Sequence, residues 1–290
     1  SKAAERVAGG DYGRLLTVKT QDEVGELIRS FNSMVQQLKE RMEMKQALNL
    51  AMEVQQNLLP KKMPAIKGLD IAARSIYCDE TGGDLYDFLE VDGCITDRIG
   101  IAVGDVSGHG IPAALLMATV RAFIKSRVSQ PGSPAEIFSD VNRLITNDTG
   151  DTGQFMTLFY AAIDAGRKEL QWIRAGHDPA IYYNPVKDSF EELGGEGLAL
   201  GVDAEYIYRE GGSIGLSKGQ IFLIGTDGLW ETHNEAGEMF GKTRLEAIIR
   251  QKASNPADTI LSSIVQAVQE FRGSAKQDDD ITLAVIKIVD

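Results

Sequence analysis

Apolar residues recur in steps of three and four between Asp22 and Leu59: Val24, Leu27, Ile28, Phe31, Met34, Val35, Leu38, Met42, Leu48, Met52 and Leu59. That spacing lays a stripe along one face of a helix. The residues between are mostly Glu, Gln, Lys and Arg, and no Gly or Pro interrupts the run after Glu26. The stripe fits the seam of a parallel coiled coil, and a single helix packed on its own domain would carry the same pattern. Arg41, Lys45 and Gln55 fall near core positions of that seam. They weaken its middle and suit a structure that switches. Pro60 and Pro64 end the helix, because proline lacks the N–H and clashes with the preceding turn.

From Gly68 onward the period changes. Runs rich in Ile, Val, Phe and Tyr, bounded by Gly, Asp or Asn, predict strands at Leu69–Ile76, Gly83–Val91, Ile99–Val106, Phe155–Ile163, Glu169–Arg174, Ala180–Tyr183, Phe190–Leu193, Gln220–Gly225 and Ile281–Ile288. Helical patterns cover Ile111–Val128, Pro134–Asn147, Lys242–Arg250 and Pro256–Phe271. Pro112 stands near the first helical position, where its missing N–H costs nothing. Strands follow one another in pairs rather than alternating with helices, so the sheets are expected to be mostly antiparallel. The class is α+β, with sheet packed on sheet and helices outside.

Composition narrows the function. With 30 Lys+Arg against 42 Asp+Glu, the 290-residue chain carries a net charge of −12. Nucleic acid is therefore an unsuitable partner, since phosphates call for a basic face. An acidic surface collects cations. Two cysteines, Cys78 and Cys94, are too few for a disulfide framework or a Cys-based zinc site. No apolar run reaches the length of a membrane span, and Ser1–Gly10 does not resemble a signal peptide. The first residue is Ser rather than Met, which suggests a fragment of a longer chain.

Four aspartates stand at strand ends in runs of small residues. They are Asp84 in Gly82-Gly83-Asp84-Leu85-Tyr86-Asp87, Asp105 in Val103-Gly104-Asp105-Val106-Ser107-Gly108-His109-Gly110, Asp227 in Thr226-Asp227-Gly228-Leu229, and Asp279 in Asp279-Asp280-Ile281-Thr282. Small neighbours let a backbone approach a ligand closely. Oxygen donors without His or Cys favour Mg²⁺ or Mn²⁺ over Zn²⁺. Converging carboxylates repel unless a cation lies between them. Taken one at a time, each is also an ordinary turn aspartate.

Two resemblances sharpen this reading. Ala8-Gly9-Gly10-Asp11-Tyr12, Asp22-Glu23-Val24-Gly25-Glu26-Leu27 and Phe31-Asn32-Ser33-Met34 resemble the second half of a HAMP domain, a signal-relay module of bacterial membrane sensors. The tail of the first HAMP helix would lie in Ser1–Ala8. The five segments Gly-Gly-Asp-x-Tyr-Asp, Asp-Val-Ser-Gly-His-Gly-Ile-Pro-Ala-Ala-Leu-Leu-Met-Ala, Ala-Gly-His-x-Pro-Ala, Thr-Asp-Gly-Leu and Asp-Asp-Ile-Thr occur in that order. From about Leu50 to Val289 the chain resembles a bacterial metal-dependent, protein phosphatase 2C-like serine/threonine phosphatase of the class that regulates sporulation and stress sigma factors.

The resemblance implies an α-β-β-α sandwich with two Mn²⁺ or Mg²⁺ ions at one end. It also implies attack of a metal-bridging water on the phosphorus without a phosphoenzyme. Carried onto this sequence, Asp105 would bridge both metals and the Val106 carbonyl would add a ligand. Asp227 and Asp279 would complete one metal, with Asp84 on the other, while Asp280 hydrogen-bonds nearby. Gly108 and Gly110 would let the turn pass close to the site. The arginine that holds phosphate in animal members has no matching motif here.

The domains expected are a partial HAMP relay over 1–40, a helical linker over 41–66 and a phosphatase domain over 67–290. The substrate expected is a phosphorylated regulatory protein, an anti-sigma-factor antagonist. A homodimer through residues 22–59 and a parent protein held on the cytoplasmic side of a bacterial membrane complete the expectation.

The remaining singular residues read as structural. His109 fits a supporting role, with proton donation as the alternative. His177 fits a turn or the core, beside Asp178 where the family usually has Asn. Trp172 and Trp230 fit the core, and Glu231 could tune the site. Gly82-Gly83-Asp84 is similar to the signature of diguanylate cyclases, yet Leu85-Tyr86 replaces Glu-Phe and the motif follows the linker too early. A histidine kinase needs a His on the linker helix, and the histidines are His109, His177 and His233. A phosphatase fold kept as a non-catalytic switch is the rival that remains.

Overall fold

A computed structural model describes residues 5–7, 9–12, 15–78, 81–90 and 97–290. Cys94, Val91, Ala8 and Ser1–Ala4 lie outside the described residues. The chain divides into two compact units, Ser1–Val54 and Gln55–Asp290.

In the first unit, helix α1 (Glu23–Leu58) begins, and its last residues belong to the second unit. The helix keeps the period the sequence predicts. Val35 is buried, and Ile28, Phe31 and Leu38 are half-buried on the same face. The extended segment before the helix is tied to it through Asn32, whose side chain donates to the Leu16 carbonyl and accepts from the Leu16 N–H, both at 2.8 Å. Val24, Leu27, Met34, Met42, Met44, Leu50 and Val54 are exposed.

The second unit is an α-β-β-α sandwich. Its strands are β1 (Leu69–Ile76), β2 (Leu85–Glu90), β3 (Arg98–Val106), β4 (Met156–Asp164), β5 (Glu169–Ala175), β6 (Ala180–Asn184), β7 (Ser189–Leu193), β8 (Gly212–Gly215), β9 (Ile221–Gly225) and β10 (Ile281–Ile288). They form two antiparallel five-stranded sheets, ordered β1-β10-β9-β6-β7 and β2-β3-β4-β5-β8. Helices α2 (Ile111–Val128) and α3 (Pro134–Thr149) form a pair, and α2 lies against β2 and β3 of the second sheet. Helix α6 (Ala257–Arg272) covers the first sheet, packed beside α5 (Lys242–Lys252).

Strand alternation builds two cores from one sheet. Phe222 and Ile224 of β9, with Ala284 and Ile286 of β10, join the core between the sheets. Ile221 and Leu223, with Leu283 and Val285, join the core under α6. Side chains alternate faces along a strand, so a strand covered on both faces reads as one unbroken apolar run. Helix α6 buries Ile260, Leu261, Ile264, Val265 and Val268, its stripe toward the sheet. Helix α3 starts at a capping box, with Ser133 accepting from the Glu136 N–H while Glu136 accepts from the Ser133 N–H.

The structure departs from the sequence expectations in four places. Strand β2 starts at Leu85 rather than Gly83, because the Gly82 and Gly83 backbones are bonded to side chains instead of to a ladder. Phe155 lies before β4, its N–H and C=O both taken by Ser107. Strand β8, a four-residue edge strand with two glycines, has too little side-chain pattern to be read. The single turn α4 (Gly228–Glu231) is likewise too short. Among the described residues no helix is long and apolar enough to cross a membrane.

Candidate metal centre

Two adjacent strand ends from each sheet meet at one end of the sandwich. Asp84 precedes β2 and Asp105 stands one residue before the end of β3, and these strands pair. Asp227 follows β9 and Asp279 precedes β10, and these strands also pair. The topology therefore brings all four sequence-predicted aspartates to neighbouring positions, two from each sheet.

Their electrostatics shows how close they come. Burial raises the Asp84 carboxyl well above the usual carboxylate range, and the charges of Asp105 and Asp280 raise it further. Burial pushes Asp105 up to about 7, and Asp227 and Asp279 add to the rise. Asp227 is raised by burial and then by Asp279, Glu231 and Asp178. Asp84, Asp105 and Asp227 thus each feel neighbouring carboxylates through a medium that screens charge poorly. Among the described residues no three His, Cys, Asp or Glu side chains stand in a ready-made metal-holding arrangement. The donor set still fits a hard divalent cation. It is all oxygen, it is strongly negative, and its mutual repulsion is what such an ion would relieve.

The backbone around the cluster is fixed by hydrogen bonds. Asp280 accepts from the Cys78 N–H at 2.8 Å and from the Gly83 N–H at 3.0 Å, which ties the loop before Asp84 to the start of β10. Thr226 Oγ1 donates to Asp84 at 2.8 Å and accepts from the Thr282 N–H at 3.0 Å. Asp227 is the N-cap residue of α4, and its side chain makes no capping hydrogen bond. Gly108 and Gly110 take φ of 84° and 79°, a region costly for other residues, as the chain turns from β3 into α2.

His177 is buried, with Nδ1 2.9 Å from Thr157 Oγ1, and Thr157 pairs with Asp105 across β3 and β4. Burial pulls its pKa down to about 4. It is a neutral core residue behind the cluster. Asp178 lies 3.6 Å from Lys242 Nζ, which also meets Glu192 at 2.8 Å and sits 4.8 Å over the Trp230 ring. Lys242 thus sets a positive charge beside Asp178. Trp172 and Trp230 are both buried in the core.

Two contributors escaped the sequence reading. Thr226 was legible only as part of a turn. Its hydroxyl beside an aspartate, after an unbroken apolar strand, is the signal that could have marked it. Gln55 was placed near the coiled-coil seam. In the structure it is buried at 5% exposure, and its amide clasps Gly82 from both sides. Nε2 donates to the Gly82 carbonyl and Oε1 accepts from the Gly82 N–H at 3.3 Å. The end of α1 is thus coupled to the loop that carries Asp84. Gln55→Ala leaves a buried donor and acceptor unpaired, which costs about 1–3 kcal/mol each. An unfolding free energy from denaturant titration lowered by about 2–6 kcal/mol is expected, and an unchanged value would show that the clasp contributes nothing.

Comparison with known proteins agrees with this geometry. Residues 96–289 match the family model "Stage II sporulation protein E (SpoIIE)", and residues 1–40 match the HAMP domain. Phosphoserine phosphatase RsbU of Bacillus subtilis is 30% identical over 245 residues, covering 84% of this chain and 71% of RsbU. The SiaA-PP2C domain of Pseudomonas aeruginosa superposes with a TM-score of 0.73 at 25% identity, covering 86% of this chain and 98% of that one. RsbX in complex with magnesium has the same fold, with a TM-score of 0.56 at 15% identity over 77% of this chain and 96% of that one. The strand ends that gather Asp84, Asp105, Asp227 and Asp279 are therefore those of a known architecture, and the chain belongs to the SpoIIE family of PP2C-type serine phosphatase domains, preceded by a HAMP domain.

Proposed function

We propose that this chain hydrolyses phosphoserine or phosphothreonine on a regulatory protein, an anti-sigma-factor antagonist, under the control of an upstream membrane sensor. The observation that carries the reading is the meeting of Asp84, Asp105, Asp227 and Asp279 at adjoining strand ends. The likeness to RsbU, a phosphoserine phosphatase, supports the reaction class. The domains proposed are a HAMP relay over 1–40, a linker over 41–66 and a phosphatase domain over 67–290.

Two Mn²⁺ or Mg²⁺ ions would be held by Asp84, Asp105, Asp227, Asp279 and the Val106 carbonyl. When bound, such ions supply positive charge to a phosphoryl group and make water nucleophilic near neutral pH. The chain's own part is positional. Thr226 fixes one oxygen of Asp84. Asp280 holds the Gly83 N–H, so the loop cannot drift from β10. The glycines at 108 and 110 leave open space where a side chain would stand, since a Cβ there meets nothing within 4 Å. A bulky phosphoprotein has room to approach at that turn.

Asp105→Asn and Asp227→Asn should each lower turnover of a phosphoserine protein at least about 100-fold, which is roughly 2.7 kcal/mol of transition-state stabilisation. EDTA should abolish phosphate release, and Mn²⁺ should restore it. Near-parental rates for both variants in saturating Mn²⁺ would refute the assignment. Intact metal binding by the parent chain without turnover would favour a non-catalytic switch.

The same reading includes a homodimer through residues 22–59. Within the first unit, Val24, Leu27, Met34, Met42, Leu50 and Val54 expose apolar surface along α1. Burying each such side chain contributes about 1.5–3 kcal/mol. Light scattering over a dilution series should give a dimer mass, reduced in Phe31→Glu and Leu38→Glu. A monomer at tens of micromolar would contradict the pairing.

A further inference from the structure

The segment Asp279-Asp280-Ile281-Thr282 brings a hydroxyl to the aspartate cluster as well as carboxylates. Thr282 stands on β10 between two other hydroxyl residues of the first sheet. Ser75 on β1 is its register partner, and the two side-chain oxygens are hydrogen-bonded to each other. Thr226, just past the end of β9, donates its N–H to the Thr282 carbonyl at 2.9 Å, and its Oγ1 accepts from the Thr282 N–H at 3.0 Å. Ser75, Thr282 and Thr226 therefore form a row across the adjacent strands β1, β10 and β9.

Asp84 comes from the other sheet and meets this row. Asp84, Thr226 and Thr282 are all buried. Both threonine hydroxyls hydrogen-bond the Asp84 carboxyl, Thr226 Oγ1 donating to Oδ2 at 2.8 Å. The Thr282 carbonyl, at 3.4 Å, is the farther acceptor for the Thr226 hydroxyl. The same Asp84 carboxyl is hydrogen-bonded to Asp105. Counting protons gives the row a direction. An ionised carboxylate only accepts, so Asp84 takes the single proton of Thr226 and the single proton of Thr282. Thr282 Oγ1 then has no proton left for Ser75, and Ser75 Oγ donates to it. Hydrogen bonds linked in this way polarise and strengthen one another in a buried setting.

We propose that Thr282 is a positioning residue that orients Asp84 for a divalent cation, and that Ser75 acts through Thr282 by donating to its hydroxyl. The inference rests on the metal reading of the aspartate cluster. A carboxylate held by one hydrogen bond can still turn about it, whereas two donors fix its plane. Turning Asp84 away would leave both buried hydroxyls without their acceptor, which is costly. The row also ties the two sheets together at the site. Asp84 belongs to the second sheet, while Thr226 adjoins Asp227 and Thr282 lies three residues past Asp279 on the first. The spacing between the carboxylates of the two sheets is thereby set by hydroxyl contacts as well as by the apolar core.

The test is calorimetric titration of Mn²⁺ into the full chain and its variants, with folding checked by circular dichroism. Thr282→Val keeps the branched shape, removes the hydroxyl, and should weaken binding of at least one ion by about tenfold or more. Thr282→Ser keeps the hydroxyl and should bind within about threefold of the parent. Ser75→Ala should weaken binding by about threefold. Ser75→Ala combined with Thr282→Val should bind as Thr282→Val alone does, because Ser75 acts on Asp84 through Thr282. Should Thr282→Val fail to fold, Ser75→Ala decides alone. Parental affinity in folded Thr282→Val or in Ser75→Ala, equal losses in Thr282→Ser and Thr282→Val, or additive losses in the double variant would overturn the proposal. A folded parent chain that takes up no Mn²⁺ overturns the metal reading and this proposal with it, whereas a Mn²⁺-binding parent with an indifferent Thr282→Val overturns this proposal alone.

Discussion

Like charges forced together at the meeting ends of two sheets are the constraint around which this molecule is organised. Asp84, Asp105, Asp227 and Asp279 arrive from paired strands β2–β3 and β9–β10, whose side chains fill the core between the sheets and, from β9 and β10, the core under α6. Burial makes the conflict sharper, since Asp84 is almost wholly hidden and Asp105 is raised to about 7. A carboxylate cluster in a poorly screening medium holds protons or a cation. The hydroxyl of Thr226 and the peptide N–H groups that Asp280 engages hold the backbone where either can be accommodated.

Gly82 and Gly83, just before Asp84, are held from two directions. Asp280 grips Gly83 from β10, and Gln55 grips Gly82 from the end of α1. Added side chains are excluded there, since a Cβ on Gly82 would strike the Tyr77 ring and the Asp280 carboxylate. Gln55, in the last turn of α1, is thereby tied through Gly82 to the segment that leads into Asp84. A tenfold shift between two loop positions requires only about 1.4 kcal/mol, which is within reach of two buried hydrogen bonds.

Much of this was legible in the sequence. The strands of the two central pairs announce themselves because both faces are buried, as in Ile221–Gly225 and Ile281–Ile288. The long helix is plain from its period, and its end from Pro60. Strand β8 was hidden because an edge strand of Gly-Ser-Ile-Gly carries almost no side-chain signal. The start of β2 was misjudged because the conformation of Gly82 and Gly83 is set by side chains far along the chain, at Gln55 and Asp280. Gln55 itself was assigned to a helix seam. A polar residue on an apolar stripe looks the same in either role, and only the tertiary partner separates them. The four aspartates were visible as strand-end residues, whereas their convergence belongs to the topology, which no local pattern encodes.

The central claim is that the aspartate ends of β2, β3, β9 and β10 form one divalent-cation site, and calorimetric titration of Mn²⁺ into the full chain tests it most directly. The account predicts two bound ions per chain, with binding lost or reduced to one ion in Asp105→Asn and the fold unchanged by circular dichroism. A folded parent chain that takes up no Mn²⁺, or an Asp105→Asn chain that binds as the parent does, would contradict it.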